Sequence, residues 1–404
     1  MKLNDNMQGS YSPLYFLSSV GAGGLAISFF MYLMWLTPHK GSPIPSFTSL
    51  QALFAGHQTG LQIMAVLALL GVAYFAFTHL RLLLWNLSQF KKWRQSAAYS
   101  TFVKSNAESQ VMALPLTFAM TMNALFIAGA LFVPELWEQR ELLFPVSLLA
   151  FSAIGIYGTR IYLNFISRVL AEGGFDCAKN NSLGQMVAVF AFSMIGVGFS
   201  AVAAMSHVKI VSVLGFVGAT LFITAAIVLG LIKLVLGFRA MMEHSAAAET
   251  TPTLWILIPL TTVVAIALYR LKMALAHNFD MPVSAAGSFA FFTAILAIQL
   301  LFAALGWAVM KRVGYYSRWI SGPERSAGAY TLVCPGVALF VLGNFFVNIG
   351  LVKLGLVTSL SLAHLALYAP LVLLQLITVW LFLKLNRKLL ASPTQTRGGK
   401  PRAA

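Results

Sequence analysis

The sequence predicts an all-α membrane protein with ten transmembrane helices arranged as five helical hairpins. Hydrophobic residues make up 59% of its 404 positions and charged residues only 9%, a balance that excludes an ordinary soluble domain. A helix that crosses a bilayer needs about 20 mostly apolar residues. Ten stretches meet that requirement: 12–36, 60–86, 111–133, 143–166, 186–206, 210–238, 254–276, 286–310, 328–350 and 358–386.

The first stretch, 12–36, is expected to stay in the protein as a spanning helix. It lacks the basic start and the small-residue cleavage site of a secretory signal. The connection 87–110 lies between the second and third stretches and is too short for a soluble domain. Residues 1–386 are therefore predicted to form one ten-span transmembrane domain.

The basic residues alternate between the connecting segments and so predict the orientation of the chain. Seventeen Lys and Arg residues fall in one set of loops and terminal segments, whereas the other set holds only Lys40, Arg140, Lys209 and Lys353. By the positive-inside rule, both termini are expected in the cytoplasm, in a bacterial-type inner membrane. The net charge of +16 then reflects topology, and we expect a lipid bilayer as partner and no nucleic acid.

The last segment of the chain differs from the spans in composition. Residues 387–404 are basic and contain Pro, Gly and small polar residues, including the sequence "SPTQTRGGKPRAA". Such a segment buries too little apolar surface to fold by itself. The sequence therefore predicts a disordered cytoplasmic tail.

The first helices of the five hairpins resemble one another. Three of them carry a proline one or two turns into the apolar run, at Pro115, Pro259 and Pro335, and the third hairpin has Phe190 in the aligned place. A proline within a spanning helix frees a backbone carbonyl and bends the helix axis. Bends at similar depths predict a ring of inner helices around a central axis, each with a straighter partner that faces lipid.

The ten spans, the hairpins and the proline-containing openings, such as "GAYTLVCPGVALFVLGNFF", together resemble the tellurite-resistance/dicarboxylate transporter family. That family includes the plant slow anion channels and the bacterial TehA. The resemblance implies a quasi-five-fold pore that is lined by the odd-numbered helices and gated by a phenylalanine on the ninth. In this sequence the gate position is Cys334, directly before Pro335 and Gly336. A cysteine there is similar to the TsoY branch, whose members can carry selenocysteine, and implies redox or haem-linked chemistry.

Four histidines on the predicted outer side are candidate axial ligands of a b-type haem: His57, His207, His277 and His364. Such a haem needs two imidazoles that face each other from neighbouring helices. His57 and His364 belong to hairpins one and five, which meet where the ring closes, and His207 and His277 belong to adjacent hairpins. The alternative is that each histidine is an interfacial anchor or a helix cap. His364 is the best ligand candidate, because it lies deepest in its span.

Two cations lie within the seventh span, at Arg270 and Lys272 in "VVAIALYRLKMALAH". A charge at membrane depth is costly and usually faces a cavity or an anion. These side chains could hold haem propionates, or they could attract anions to an outer vestibule. The alternative is that both extend along the helix to reach the interface.

Two functions follow from these residues. The first is a membrane redox protein with b-type haem near its outer face, Cys334 as a second redox group and a separate electron-transfer partner. The second is an anion channel or exporter in which Arg270 and Lys272 attract anions. Cys334 and the histidines favour the first, whereas the fold favours the second; a third reading makes Cys334 a small packing residue. On the sequence we expect the redox protein.

Overall fold

A computed structural model describes residues 2–392, and its secondary structure is helical apart from one isolated bridge between Leu3 and Ala391. Its α-helices are α1 (Phe16–Leu36), α2 (Phe47–Ala55), α3 (Thr59–Trp93), α4 (Ala97–Phe102), α5 (Ala113–Phe132), α6 (Arg140–Glu172), α7 (Met186–Met205), α8 (Lys209–His244), α9 (Leu257–Phe279), α10 (Ala285–Arg312), α11 (Val333–Phe345) and α12 (Leu362–Leu389).

Ten helical segments in residues 2–392 are long and apolar enough to cross a membrane, so the prediction of ten spans is confirmed. The short helices α2 and α4 lie in connections. Every other numbered helix forms a span or the main part of one, extended in four cases by a 3-10 segment at its start. The protein is therefore a multi-pass membrane protein.

The spans differ in burial in a strictly alternating order. The most apolar stretch is 50 to 94% buried in the first, third, fifth, seventh and ninth spans, and only 17 to 28% buried in the others. A lipid-facing helix can remain apolar on its exposed side because hydrocarbon surrounds it. We call α1, α5, α7, α9 and α11 the inner helices, and α3, α6, α8, α10 and α12 the outer helices.

The inner helices surround a common centre. Each packs against the next inner helix along the chain, and α11 packs against α1, so the contacts return to their starting point. Each inner helix also packs against the outer helix that follows it. The five inner helices therefore form a closed series of contacts around the centre of the protein.

Most inner helices open in a similar way. Segments of 3-10 helix precede four of them, at Pro13–Tyr15, Asn106–Met112, Ala248–Ile256 and Ala327–Leu332. Pro115, Pro259 and Pro335 are each the third residue of their α-helix. An N–H in the first helical turn has no partner within the helix, so proline costs little there. The prolines thus mark a change of helix type rather than the mid-helix bend expected from the sequence.

Both ends of the described chain lie at the same end of the helical bundle, which we call the terminal end; the opposite end is the distal end. Asn4 donates its backbone N–H to the carbonyl of Leu390 at 2.8 Å, and Ser392 donates to Lys2 at 3.1 Å. The predicted disordered tail therefore starts too early at 387, because α12 continues to Leu389 and the next residues pair with the N-terminal segment. Residues 393–404 lie outside the described residues.

Candidate functional site

The inner helices and the first part of α6 line a central cavity of about 370 Å³. Each inner helix contributes to its wall, as shown by Gly24 on α1, Met120 on α5, Met194 on α7, Ile266 on α9 and Val337 on α11. The wall is mainly apolar, and two of its side chains are charged, Arg140 and Arg270. No carboxylate from residues 2–392 lines it.

Arg270 projects from α9 into this cavity. It shares one helical face with Pro259, Thr262, Val263 and Ile266, which also line the cavity and are spaced three or four residues apart. Its Nη1 donates to the backbone carbonyl of Val197 on α7 at 3.2 Å. Arg270 takes part in none of the ion pairs found in residues 2–392. A guanidinium charge therefore faces the cavity without an acidic partner in this part of the chain.

Lys272 does not share this position. Two residues along a helix correspond to more than half a turn, so Lys272 lies on another face of α9. It is exposed, and its Nζ lies 4.8 Å from the ring centroid of Phe291 on α10. The structure thus separates the two cations that the sequence analysis had grouped together.

Arg140 is a cavity residue that the sequence analysis did not select. It is the first residue of α6, at the distal end, and its Nη1 donates to the backbone carbonyl of Trp137 at 3.3 Å. Its guanidinium carbon lies 5.4 Å from the centroid of the Trp137 ring. The Nε atom is buried and has no hydrogen-bond partner among residues 2–392. The signal in the sequence was a basic residue three positions after Trp137, on the side of the membrane that is poor in basic residues.

Cys334 lines the cavity near its terminal end. It is the second residue of α11 and is 9% exposed, and Val337, Ala338 and Val341 continue the same lining face along the helix. The thiol and Arg270 therefore lie in one cavity but toward opposite ends. Pro259 and Arg270 mark its extent along α9, which is roughly 16 Å at about 1.5 Å per residue.

His364 lies outside this cavity and is fully buried at the start of α12. The backbone N–H of Leu360 donates to its Nδ1 at 3.2 Å, which places the ring proton on Nε2. Nε2 then donates to Oδ1 of Asn348 at 3.1 Å. The Asn348 amide donates in turn to the Tyr368 hydroxyl at 2.9 Å and to the Asn344 carbonyl at 2.8 Å. Both ring nitrogens of His364 are thus occupied.

The three other candidate histidines are exposed at the distal end. His57 lies in the connection between α2 and α3, and His207 lies between α7 and α8. The backbone N–H of His207 donates to Oε1 of Glu141 at 2.9 Å, and Nδ1 of His277 bonds to the carbonyl of Ala204 at 3.1 Å. None of the three lines the central cavity.

The predicted pair of His57 and His364 does not fit a haem held between two axial imidazoles. Ligation by His364 would require its hydrogen bonds to Leu360 or Asn348 to break inside a fully buried site, at a cost for each orphaned polar group. His57, with which His364 was paired, lies on the exposed distal surface. We therefore derive no redox step through a haem.

The chain was also compared with known proteins. No family model matches it, and no curated protein matches it. The function proposed below is therefore based on the geometry and charge of the cavity.

Proposed function

We propose that the protein carries small anions across a lipid bilayer through the central cavity, with Arg270 as the anion-binding residue. The observation that supports this most strongly is the Arg270 guanidinium, which faces the cavity and forms no ion pair within residues 2–392. A charge at membrane depth is costly, and an anion in the cavity would offset that cost. The positive charge of Arg270 would repel a cation and so oppose its entry into the cavity.

The rest of the wall would allow a bound anion to leave. Conduction requires binding that is strong enough for entry and weak enough for release. Near Arg270 the wall is formed by Val197, Ile266 and Ala201, which offer no competing charge. Thr262 and Asn123 supply polar atoms elsewhere on the lining. A guanidinium without a neighbouring carboxylate, in a mainly apolar cavity, therefore suits a small monovalent anion.

We further propose that the five hairpins are related by approximate five-fold pseudosymmetry. The alternating burial of the spans, the sequential contacts of the inner helices and the shared third-position prolines support this arrangement. Under such symmetry, corresponding positions of the inner helices would face the cavity at similar depths. Cys334 would then occupy the gate position implied by the resemblance, with a small thiol in place of an aromatic ring.

The orientation is also part of the proposal. The basic residues near the terminal end include Lys91, Lys92, Arg318 and Arg325, whereas the distal end has few. Positive charge collects on the cytoplasmic side of membrane proteins. We therefore place the terminal end in the cytoplasm and the protein in a bacterial-type inner membrane, with Arg270 nearer the outer face.

A flux measurement on proteoliposomes tests the proposed function. Liposomes with the purified full-length protein are loaded with potassium chloride, valinomycin is added to let potassium leave, and chloride release is followed with an electrode. We expect release well above that of protein-free liposomes, and a loss of about tenfold or more in Arg270→Ala, since a lost interaction of about 1.4 kcal/mol has that effect.

Lys272→Ala provides the matched control, because it removes a cation two residues away that does not line the cavity. We expect chloride release by this variant to match that of the wild type. Release by the wild type no faster than from protein-free liposomes would refute the proposed function.

A further inference from the structure

The central cavity has a side opening in its distal half. Two of its lining residues, Leu125 on α5 and Val146 on α6, are also 49% and 59% exposed. Both helices are spanning helices, so a side chain exposed there faces lipid. Gly129 and Leu143 line the cavity between these two positions and the distal end. The cavity is therefore open to the membrane between α5 and α6.

A cation lies at the distal end of this apolar opening. Arg140 starts α6, and Val146 lies six residues further on, roughly 9 Å along the axis at about 1.5 Å per residue. The guanidinium is held by the carbonyl and ring of Trp137, and its buried Nε has no hydrogen-bond partner in residues 2–392. Arg140 takes part in none of the ion pairs in those residues. The Arg140 charge therefore lines the cavity without a carboxylate partner in this part of the chain.

The two features together define a ligand with two parts. The opening is apolar and faces acyl chains, so it accommodates an aliphatic chain. The guanidinium lies at the distal start of α6, at one end of the apolar opening, and guanidinium binds carboxylates in a geometry that few other groups match. A neutral lipid chain would leave the Arg140 charge without an anionic partner in a mainly apolar cavity, which is costly.

We infer that a single-chain amphiphilic carboxylate, of the fatty-acid class, enters the cavity from the membrane between α5 and α6 and binds with its carboxylate on Arg140. This inference rests on the proposed function in that it assigns a second class of anion to the same cavity. The chain occupies the opening beside Leu125 and Val146. Such a ligand reaches the protein by diffusion in the bilayer, without crossing the distal surface.

Trp137 provides a direct measurement, because it lines the cavity beside Arg140. Bromine quenches tryptophan fluorescence at contact distance. Purified full-length protein in neutral detergent is titrated with a brominated C18 fatty acid at a pH where its carboxyl group is ionised, and with the methyl ester of the same acid. Trp137→Phe identifies the part of the signal that comes from Trp137, since the chain has 8 tryptophans.

We expect the acid to quench Trp137 at a concentration about tenfold or more below that of the ester, as is typical for a hydrogen bond to a charged group. Arg140→Gln should raise the half-quenching concentration of the acid by a similar factor and leave that of the ester unchanged. Val146→Phe narrows the opening and should weaken the binding of both the acid and the ester. Leu149→Phe is the matched control, because Leu149 is 72% exposed on the same helix and does not line the cavity.

Equal half-quenching concentrations for acid and ester would overturn the inference, because the site would then bind any lipid chain. Equal half-quenching concentrations for Val146→Phe and Leu149→Phe would also overturn the inference. The titration uses no ion gradient and leaves Arg270 intact. A protein that shows the expected quenching but carries no chloride would therefore support this site and contradict only the proposed function.

Discussion

Arg270 on α9 donates from Nη1 to the backbone carbonyl of Val197 on α7 at 3.2 Å, which joins the cation of one inner helix to the next inner helix. A guanidinium carries five N–H donors, so one such bond fixes its position and leaves most of its donors for a ligand. The contact also explains why the charge is held at the cavity wall and does not extend toward the distal surface. This position at the cavity wall is consistent with the anion-binding role that we propose for Arg270.

The hydrogen bonds of His364 predict a structural role for this residue. His364→Ala leaves the N–H of Leu360 and Oδ1 of Asn348 without their partners in a buried region, and each orphaned group costs about 1–3 kcal/mol. We expect a clearly lower unfolding temperature in detergent, and little change for His277→Ala, because that side chain is exposed. An unchanged unfolding temperature in His364→Ala, together with a haem absorption band that only the wild type shows, would contradict this assignment.

Cys334 allows a test of the terminal end of the cavity. Cys334→Phe adds an aromatic ring to a space of about 370 Å³ and is expected to lower chloride release. A decrease of about tenfold needs a barrier that is only about 1.4 kcal/mol higher. Cys334→Ser keeps the size of the side chain and should release chloride at nearly the wild-type rate. Chloride release unaffected by Cys334→Phe would show that anions do not pass this residue.

Gly336 is expected to be intolerant of a larger side chain. A Cβ atom at this position would lie 2.1 Å from Oγ1 of Thr378 on α12, a distance that real atoms do not reach. Gly336→Ala should therefore lower the unfolding temperature, with a loss of about 1–3 kcal/mol as is typical for overpacking. Gly60→Ala is the control, because nothing lies within 4 Å of its Cβ and alanine favours the helix. Equal stability of the two variants would contradict the close packing of α11 on α12.

Much of the fold could be predicted because its signals are local. A spanning helix is recognised from about 20 consecutive apolar residues, whatever surrounds it. The prolines at 115, 259 and 335 correctly indicated helices that are buried inside the protein. Their structural effect was less predictable, because the change from 3-10 helix to α-helix depends on residues that precede each proline.

The candidate site depended on helix rotation and on contacts between distant segments, which one sequence does not specify. Arg270 and Lys272 are separated by two residues, and only the packing of α9 decides which of them faces the cavity. Arg140 belongs to an outer helix and reaches the cavity because α6 starts beside it. The close packing of Gly336 against Thr378 likewise depends on how α12 lies against α11.

Reversal of one charge in proteoliposomes tests the central claim most directly, namely that the Arg270 cation attracts the transported anion. Arg270→Glu and Lys272→Glu make the same change of charge two residues apart on α9, and only Arg270 lines the cavity. Chloride release is measured for both variants at equal protein density after unfolding temperatures show that both are folded. We predict that Arg270→Glu releases chloride at least about tenfold more slowly than the wild type, because a tenfold decrease needs a transport barrier only about 1.4 kcal/mol higher. Lys272→Glu is predicted to release chloride at the wild-type rate. Equal chloride release by the two variants would contradict the account.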